Sequence, residues 1–256
     1  MFQHQELRER VRIIARHSNM SRRTATQLYH DYGLNAGRSD WRKFAEIALL
    51  CIGTGFTLAG IIFFFAYNWD ALPKAFKIGS IETLLVVATV FAAIGKANEL
   101  IQKMALFVAS ILAGALFAVY GQIYQTGADA YDFFMGWAGA VALWCVFSRF
   151  PPLWLLLMLL VNLTLWFYFR QVDPGYHETT RLILLFLLNV LPLTLFEILN
   201  SKNKLPANSG WMLKTIALVS AAFLTTGLVY SIFDTGGMLW FLTWLAMIVY
   251  FPLAIY

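Results

Sequence analysis

The sequence predicts an all-α protein, a polytopic transmembrane helix bundle of about eight spans preceded by a short N-terminal cytoplasmic helical hairpin. Three observations predict it. Hydrophobic residues make up 60% of the chain and charged residues 13%, against about 45–50% and about 25% in soluble globular chains. The excess is gathered into long apolar runs divided by short polar breaks, which is how spans and loops read. Lysine and arginine crowd alternate breaks, as membrane topology requires.

Residues 1–43 are the basic segment that precedes the bundle, and residues 44–256 are the bundle. In Gln3–His17, Leu7, Val11 and Ile14 recur at helical spacing, and Ser18-Asn19-Met20 interrupts them. Ser21 is placed to cap a second helix over about Arg22–Tyr32, which Gly33 ends. A linker through Gly37-Arg38-Ser39-Asp40 follows. A cleavable signal has a short basic start directly before its apolar stretch. Here a long polar segment precedes the first run, so that run is expected to stay in the membrane.

The runs fall at about Phe44–Tyr67, Phe76–Gly95, Met104–Tyr124, Phe133–Phe147, Leu153–Phe169, Leu182–Leu199, Trp211–Phe233 and Leu239–Tyr256. Crossing the hydrocarbon core takes about 20 residues. The fourth run is short and is expected to draw on Ser148 or on its polar start. Pro151-Pro152 marks the turn into the fifth, and Pro192 is expected to kink the sixth. The eighth run is still in progress at Tyr256, which suggests that the natural chain is longer or that this helix ends at the cytoplasmic face.

Charge sets the orientation. Of the 19 lysines and arginines, only Lys74, Lys77, Arg170 and Arg181 fall on the side opposite the N-terminus. The imbalance predicts a cytoplasmic N-terminus. The basic hairpin suits contact with anionic lipid head groups. Nucleic-acid binding is disfavoured, because the hairpin lacks a third supporting helix.

The polar residues then narrow the function. Cys51 and Cys145 lie inside apolar runs and suggest neither a disulfide nor a metal site. Two motifs stand at the outer ends of spans. Asn68, Trp69 and Asp70 close the first span. Gln122, Tyr124, Asp129, Tyr131 and Asp132 lie where the third closes and the fourth opens. An interfacial aromatic belt with helix-end amides and acids accounts for much of this. The density of amides and carboxylates on one side also suits a binding site, if the first, third and fourth spans are neighbours. Asp173, His177, Glu178 and Asp234 add outer-side polarity, but their spacing matches no metal motif. No cofactor and no catalytic arrangement is expected. Within the spans, Glu82, Asn162 and Asn189 are the polar candidates. Asn162 and Asn189 suit interhelical hydrogen bonding, and Glu82 suits a snorkelling acid near the interface. Small-residue spacings such as Ser110/Gly114/Ala118 permit close helix contact.

The run FFAYNWDALPK, followed by GQIYQTGADAYDFFMGWA, resembles a family of bacterial multi-pass membrane proteins, the domain-of-unknown-function family 2157. The resemblance covers about residues 1–150. It implies that Asn68, Trp69, Gln122, Tyr124 and Gly127 are motif positions, and it implies no activity, substrate or catalytic residue.

The leading reading is a non-enzymatic envelope protein in the lipid bilayer. It would bind a partner protein, a second copy or a lipid through the outer motif cluster. The alternatives are a transporter or channel lined by Glu82, Asn162 and Asn189, and a membrane-embedded enzyme that uses the outer carboxylates on a lipid-linked substrate.

Overall fold

The computed structural model describes residues 11, 13–14, 21–31, 37–175, 177–202, 205, 209–233 and 244. Among them every regular element is helical: α1 (Arg22–Asp31), α2 (Arg38–Tyr67), α3 (Lys74–Ile94), α4 (Glu99–Tyr124), α5 (Ala130–Ser148), α6 (Pro151–Gln171), α7 (Glu178–Ser201) and α8 (Gly210–Phe233). Seven of these, α2–α8, are long and apolar enough to cross a membrane. They correspond to the first seven predicted runs. The first helix of the expected hairpin lies mostly outside the described residues. So do Gly33, Asp234 and, apart from Trp244, the eighth run.

The chain divides into two compact units, residues 1–59 and 60–256. In the first, Ser21 caps α1 as its sequence suggests. The Ser21 Oγ accepts the backbone N–H of Thr24 at 3.2 Å. At the start of α2, Asp40 reaches back to accept the Gly37 N–H at 3.0 Å. This is the reciprocal half of a capping box. α2 has 30 residues, or about 45 Å at 1.5 Å per residue, against a hydrocarbon core of about 30 Å. Its surplus is the first turns, where Arg38, Arg42 and Lys43 stand with Trp41, which packs edge-on against Phe44.

In the second unit the helices pack most closely as consecutive pairs: α3 with α4, α5 with α6, and α7 with α8. Contacts between α4 and α5 and between α6 and α7 are sparser. The first two pairs are closed by local chemistry. Between α3 and α4, the Gly95 N–H bonds to the Phe91 carbonyl at 2.9 Å, and the Gln102 amide returns to the Gly95 carbonyl. Asn98 caps α4 by accepting the Leu100 N–H at 3.0 Å. The α5–α6 turn needs only Arg149 and Phe150. Arg149 is left-handed (φ 48°), and Pro151 and Pro152 open α6 where no helical N–H donor is required. The Cys145 thiol then bonds across the turn to the Leu153 carbonyl at 3.2 Å. α7 and α8 approach closely at Gly227, where an added Cβ would lie 3.4 Å from that of Leu182.

Lipid tails are as apolar as leucine, so burial alone does not draw helices together in a bilayer; close packing and interhelical hydrogen bonds do. Both are present. Val141, Cys145 and Leu153 are fully enclosed between α5 and α6. Between α4 and α5, Gly114 leaves a hollow that the Trp137 indole fills so tightly that a Cβ at 114 would overlap the ring. The Trp137 Nε1–H donates to the Ser110 carbonyl at 2.8 Å. The Ser110/Gly114 spacing therefore admits a tryptophan side chain rather than a second backbone.

The helices overrun the predicted runs at their ends. α4 begins at Glu99 rather than near Met104, because Asn98 caps it and Glu99 pairs with Lys103 at 2.6 Å one turn later. The short fourth run gains residues at both ends to become α5. Pro192 lies inside α7.

Candidate functional site

The connections α2–α3, α4–α5 and α6–α7 fall at the same end of the second unit, here the motif end, because both sequence motifs are there. Its residues form three groups.

The first group joins the end of α2, the start of α3 and the end of α4. Phe65, Ile81 and Val119 are buried together, with Trp69, Leu72 and Ile123 packed against them. The two motifs therefore meet through their apolar residues, Trp69 from one and Ile123 from the other. Among the described residues, no hydrogen bond joins the polar side chains of one motif to those of the other. The Asn68 side chain turns back to donate to the Phe64 carbonyl at 2.9 Å. Its own carbonyl accepts the N–H groups of Ala71 and Leu72, both at 3.1 Å. That makes Asn68 the closing residue of α2. Asp70, Gln122 and Tyr124 are exposed, and Tyr124 packs on Tyr120 with ring centroids 4.5 Å apart. Lys77, counted in the sequence only as a topological charge, is buried here. Its ammonium lies 4.0 Å from the centroid of the Trp69 ring.

The second group is at the start of α5. The α4–α5 connection contains two left-handed residues, Gln125 (φ 43°) and Gly127 (φ +65°). The latter is a conformation that glycine adopts without the steric cost other residues carry. Asp129 precedes α5 and is exposed; Tyr131 and Asp132 in its first turn are half-buried. Negative charge is favourable at that end of a helix. The Tyr131 N–H donates to Gln171 Oε1 at 3.3 Å, and its ring meets Tyr168 edge-on at 5.6 Å. This acidic group is thus tied to α6. Among the described residues, no hydrogen bond links the Asn68 and Gln122 amides with Asp70, Asp129 or Asp132.

The third group organises the α6–α7 connection. Arg181 is buried, pairs with Glu178 at 2.8 Å and donates to the Pro174 carbonyl at 2.7 Å. Its Nε has no hydrogen-bond partner. Arg181→Gln removes both anchors and is expected to cost about 2 kcal/mol. The check is a lower thermal midpoint together with faster protease cleavage within residues 172–177.

The polar residues inside the spans differ in kind. Glu82 lies exposed on α3, eight residues past its start, or about 12 Å at 1.5 Å per residue. Asn162 and Asn189 face each other from α6 and α7. Asn162 Nδ2 donates to Asn189 Oδ1 at 3.1 Å, and Asn189 Nδ2 donates to Asn162 Oδ1 at 2.7 Å. Each amide also donates to a carbonyl of its own helix, Met158 or Leu185, at 2.7 Å. Among the described residues, no three of His, Cys, Asp and Glu gather closely enough to hold a metal ion.

Lys77, Arg181 and Gln171 were not singled out by the sequence. Their importance lies in partners on other helices or across a connection, which no local pattern displays.

A family described as predicted membrane proteins (DUF2157) matches residues 15–154, a stretch that holds both motifs. No curated protein and no solved structure matches the chain.

Proposed function

The chain belongs to the DUF2157 family of predicted membrane proteins, and from that premise we propose that it is a non-enzymatic protein of the bacterial cytoplasmic membrane. In this reading its N-terminus is cytoplasmic, and its motif end faces outward to bind a lipid or a protein partner. The carrying observation is the character of the motif end. Trp69, Tyr120, Tyr124 and Tyr131 stand there as an aromatic rim, while Asp70, Gln122 and Asp129 are exposed and leave their hydrogen-bonding capacity open. An amphipathic rim of this kind suits a head group or a protein loop. The unequal distribution of lysine and arginine supports the orientation.

The alternatives draw less support. A transport path would need polar groups free to meet solute, yet the Asn162 and Asn189 amides are bonded to each other and to their own helices. General acid–base catalysis would need a positioned acid and base, and no described contact brings Asp70 together with Asp129 or Asp132.

A photo-reactive residue placed at Gln122 or Tyr124 in intact cells tests the reading. A discrete lipid or protein adduct is expected there, and none from the same residue at Leu218, exposed on α8. Indistinguishable yields at all three positions would refute it. Orientation is checked separately: Asp70→Cys should react with an impermeant maleimide from outside, and Lys96→Cys should not.

A further inference from the structure

Lys77 is 7% exposed, with its ammonium over the ring of Trp69, a residue of the apolar cluster around Phe65, Ile81 and Val119. The stem is what is enclosed; the ammonium at its end keeps access to water, as a lysine head does when its stem lies along apolar surface. The Trp69 ring holds it in place at 4.0 Å from the ring centroid. An ammonium has three N–H donors, and none finds an acceptor among the described residues. Asp70, the nearest acid in sequence, pairs with neither Lys74 nor Lys77. The remaining basic residues at this end are engaged, Arg170 over the Trp166 ring and Arg181 with Glu178. Among the described residues, Lys74 and Lys77 thus have no anionic partner.

The backbone at the same place is also unfinished. α3 is preceded by Pro73, which offers no capping side chain. The N–H groups of Phe76 and Lys77 bond to the Pro73 carbonyl at 3.0 and 3.1 Å. Those of Lys74 and Ala75 have no acceptor among the described residues. A helix start concentrates partial positive charge and presents its N–H groups to an anion. Helical side chains lean toward their own N-terminus, so Lys77 lies back over that start, with Trp69 beneath it.

We propose that the start of α3 binds an anionic phosphate group, held by Lys77, Lys74 and the two open N–H groups, with Trp69 as the floor. This rests on the proposed outward-facing motif end and names its ligand chemistry. A lipid phosphate stands at the level where α3 enters the bilayer, and free phosphate offers the same oxygens.

The test is native mass spectrometry of the purified full chain, titrated with phosphatidylglycerol in detergent. Lys77→Gln is expected to weaken the adduct at least fivefold, and exposed Lys74→Gln roughly threefold, in line with the contribution of a basic residue near an anionic surface. Lys77→Arg should retain it, because a guanidinium also stacks on an aromatic ring and binds phosphate. Lys96→Gln, at the opposite end, should change nothing. Without lipid, Lys77→Gln should melt no lower than the parent, whereas loss of a purely structural lysine would lower the midpoint. Inorganic phosphate separates the sources. If millimolar phosphate displaces phosphatidylglycerol, the soluble anion is a ligand of the site; if it does not, the lipid is. Equal adducts in the parent, Lys77→Gln and Lys74→Gln proteins would overturn the proposal. Failed cross-linking at Gln122 with Lys77 dependence intact would sink the broader binding reading and leave this site standing.

Discussion

Gly114→Ala is expected to destabilise the protein by about 3 kcal/mol, although alanine is the better helix former. In an open helix the exchange would gain up to about 1 kcal/mol. Here the new methyl would overlap the Trp137 indole. Overfilling a packed position costs about 1–3 kcal/mol. Moving the ring aside also breaks the Nε1–H bond to the Ser110 carbonyl, a further loss of about 1 kcal/mol. The ring has little freedom to move, because Phe133 and Phe134 pack on it from its own helix. Thermal unfolding in detergent should show the fall, and Gly114→Ala combined with Trp137→Leu should recover part of it. A Gly114→Ala protein as stable as the parent would mean that the α4–α5 contact is looser than described.

Asn189→Leu is expected to cost about 2 kcal/mol. Asn162 would keep its bond to the Met158 carbonyl, but its Oδ1 would lose the one donor that reaches it among the described residues and remain buried. A buried polar atom without a partner costs about 1–3 kcal/mol, more than the average of about 0.6 kcal/mol for an interhelical hydrogen bond in a membrane. The paired replacement Asn162→Leu with Asn189→Leu leaves no orphan and should return most of the stability. The measurement is a double-mutant cycle of thermal midpoints. A transport role for the amides would give a different pattern: the double variant would be stable and inactive in solute uptake.

The spans were legible because a bilayer demands long apolar segments, and seven of the predicted runs became helices with boundaries shifted by a few residues. Those shifts follow from caps and end pairs such as Asn98 and Glu99–Lys103, which an apolar-run reading leaves out. The faces of the spans were much less legible. In water, apolar periodicity marks the side that faces the core. In lipid both sides are apolar, so nothing in the spacing of α5 shows that Trp137 enters α4. Polar residues were easy to find and hard to assign. Asn162 and Asn189 stood out by chemistry, and their bonding to each other followed only from α6 and α7 being neighbours. Lys77 was hidden by its type, since a lysine beside a span reads as a topological charge until its burial over Trp69 is seen.

The pairing of α3 with α4, α5 with α6 and α7 with α8 also bears on how the chain is made. Each pair is complete once its second helix has been synthesised, and its main partner has just preceded it into the bilayer. The closing bonds of the first two pairs, such as that from Cys145 to Leu153, span fewer than ten residues. Loop closure is least demanding over such short separations. Assembly can therefore keep pace with translation, one hairpin at a time. The contacts left for the end are those between hairpins: Trp137 with Ser110, and Asn162 with Asn189. A chain carrying a faulty residue at one of these would insert every span and stall at the last stage, a correctly threaded protein whose hairpins fail to lock.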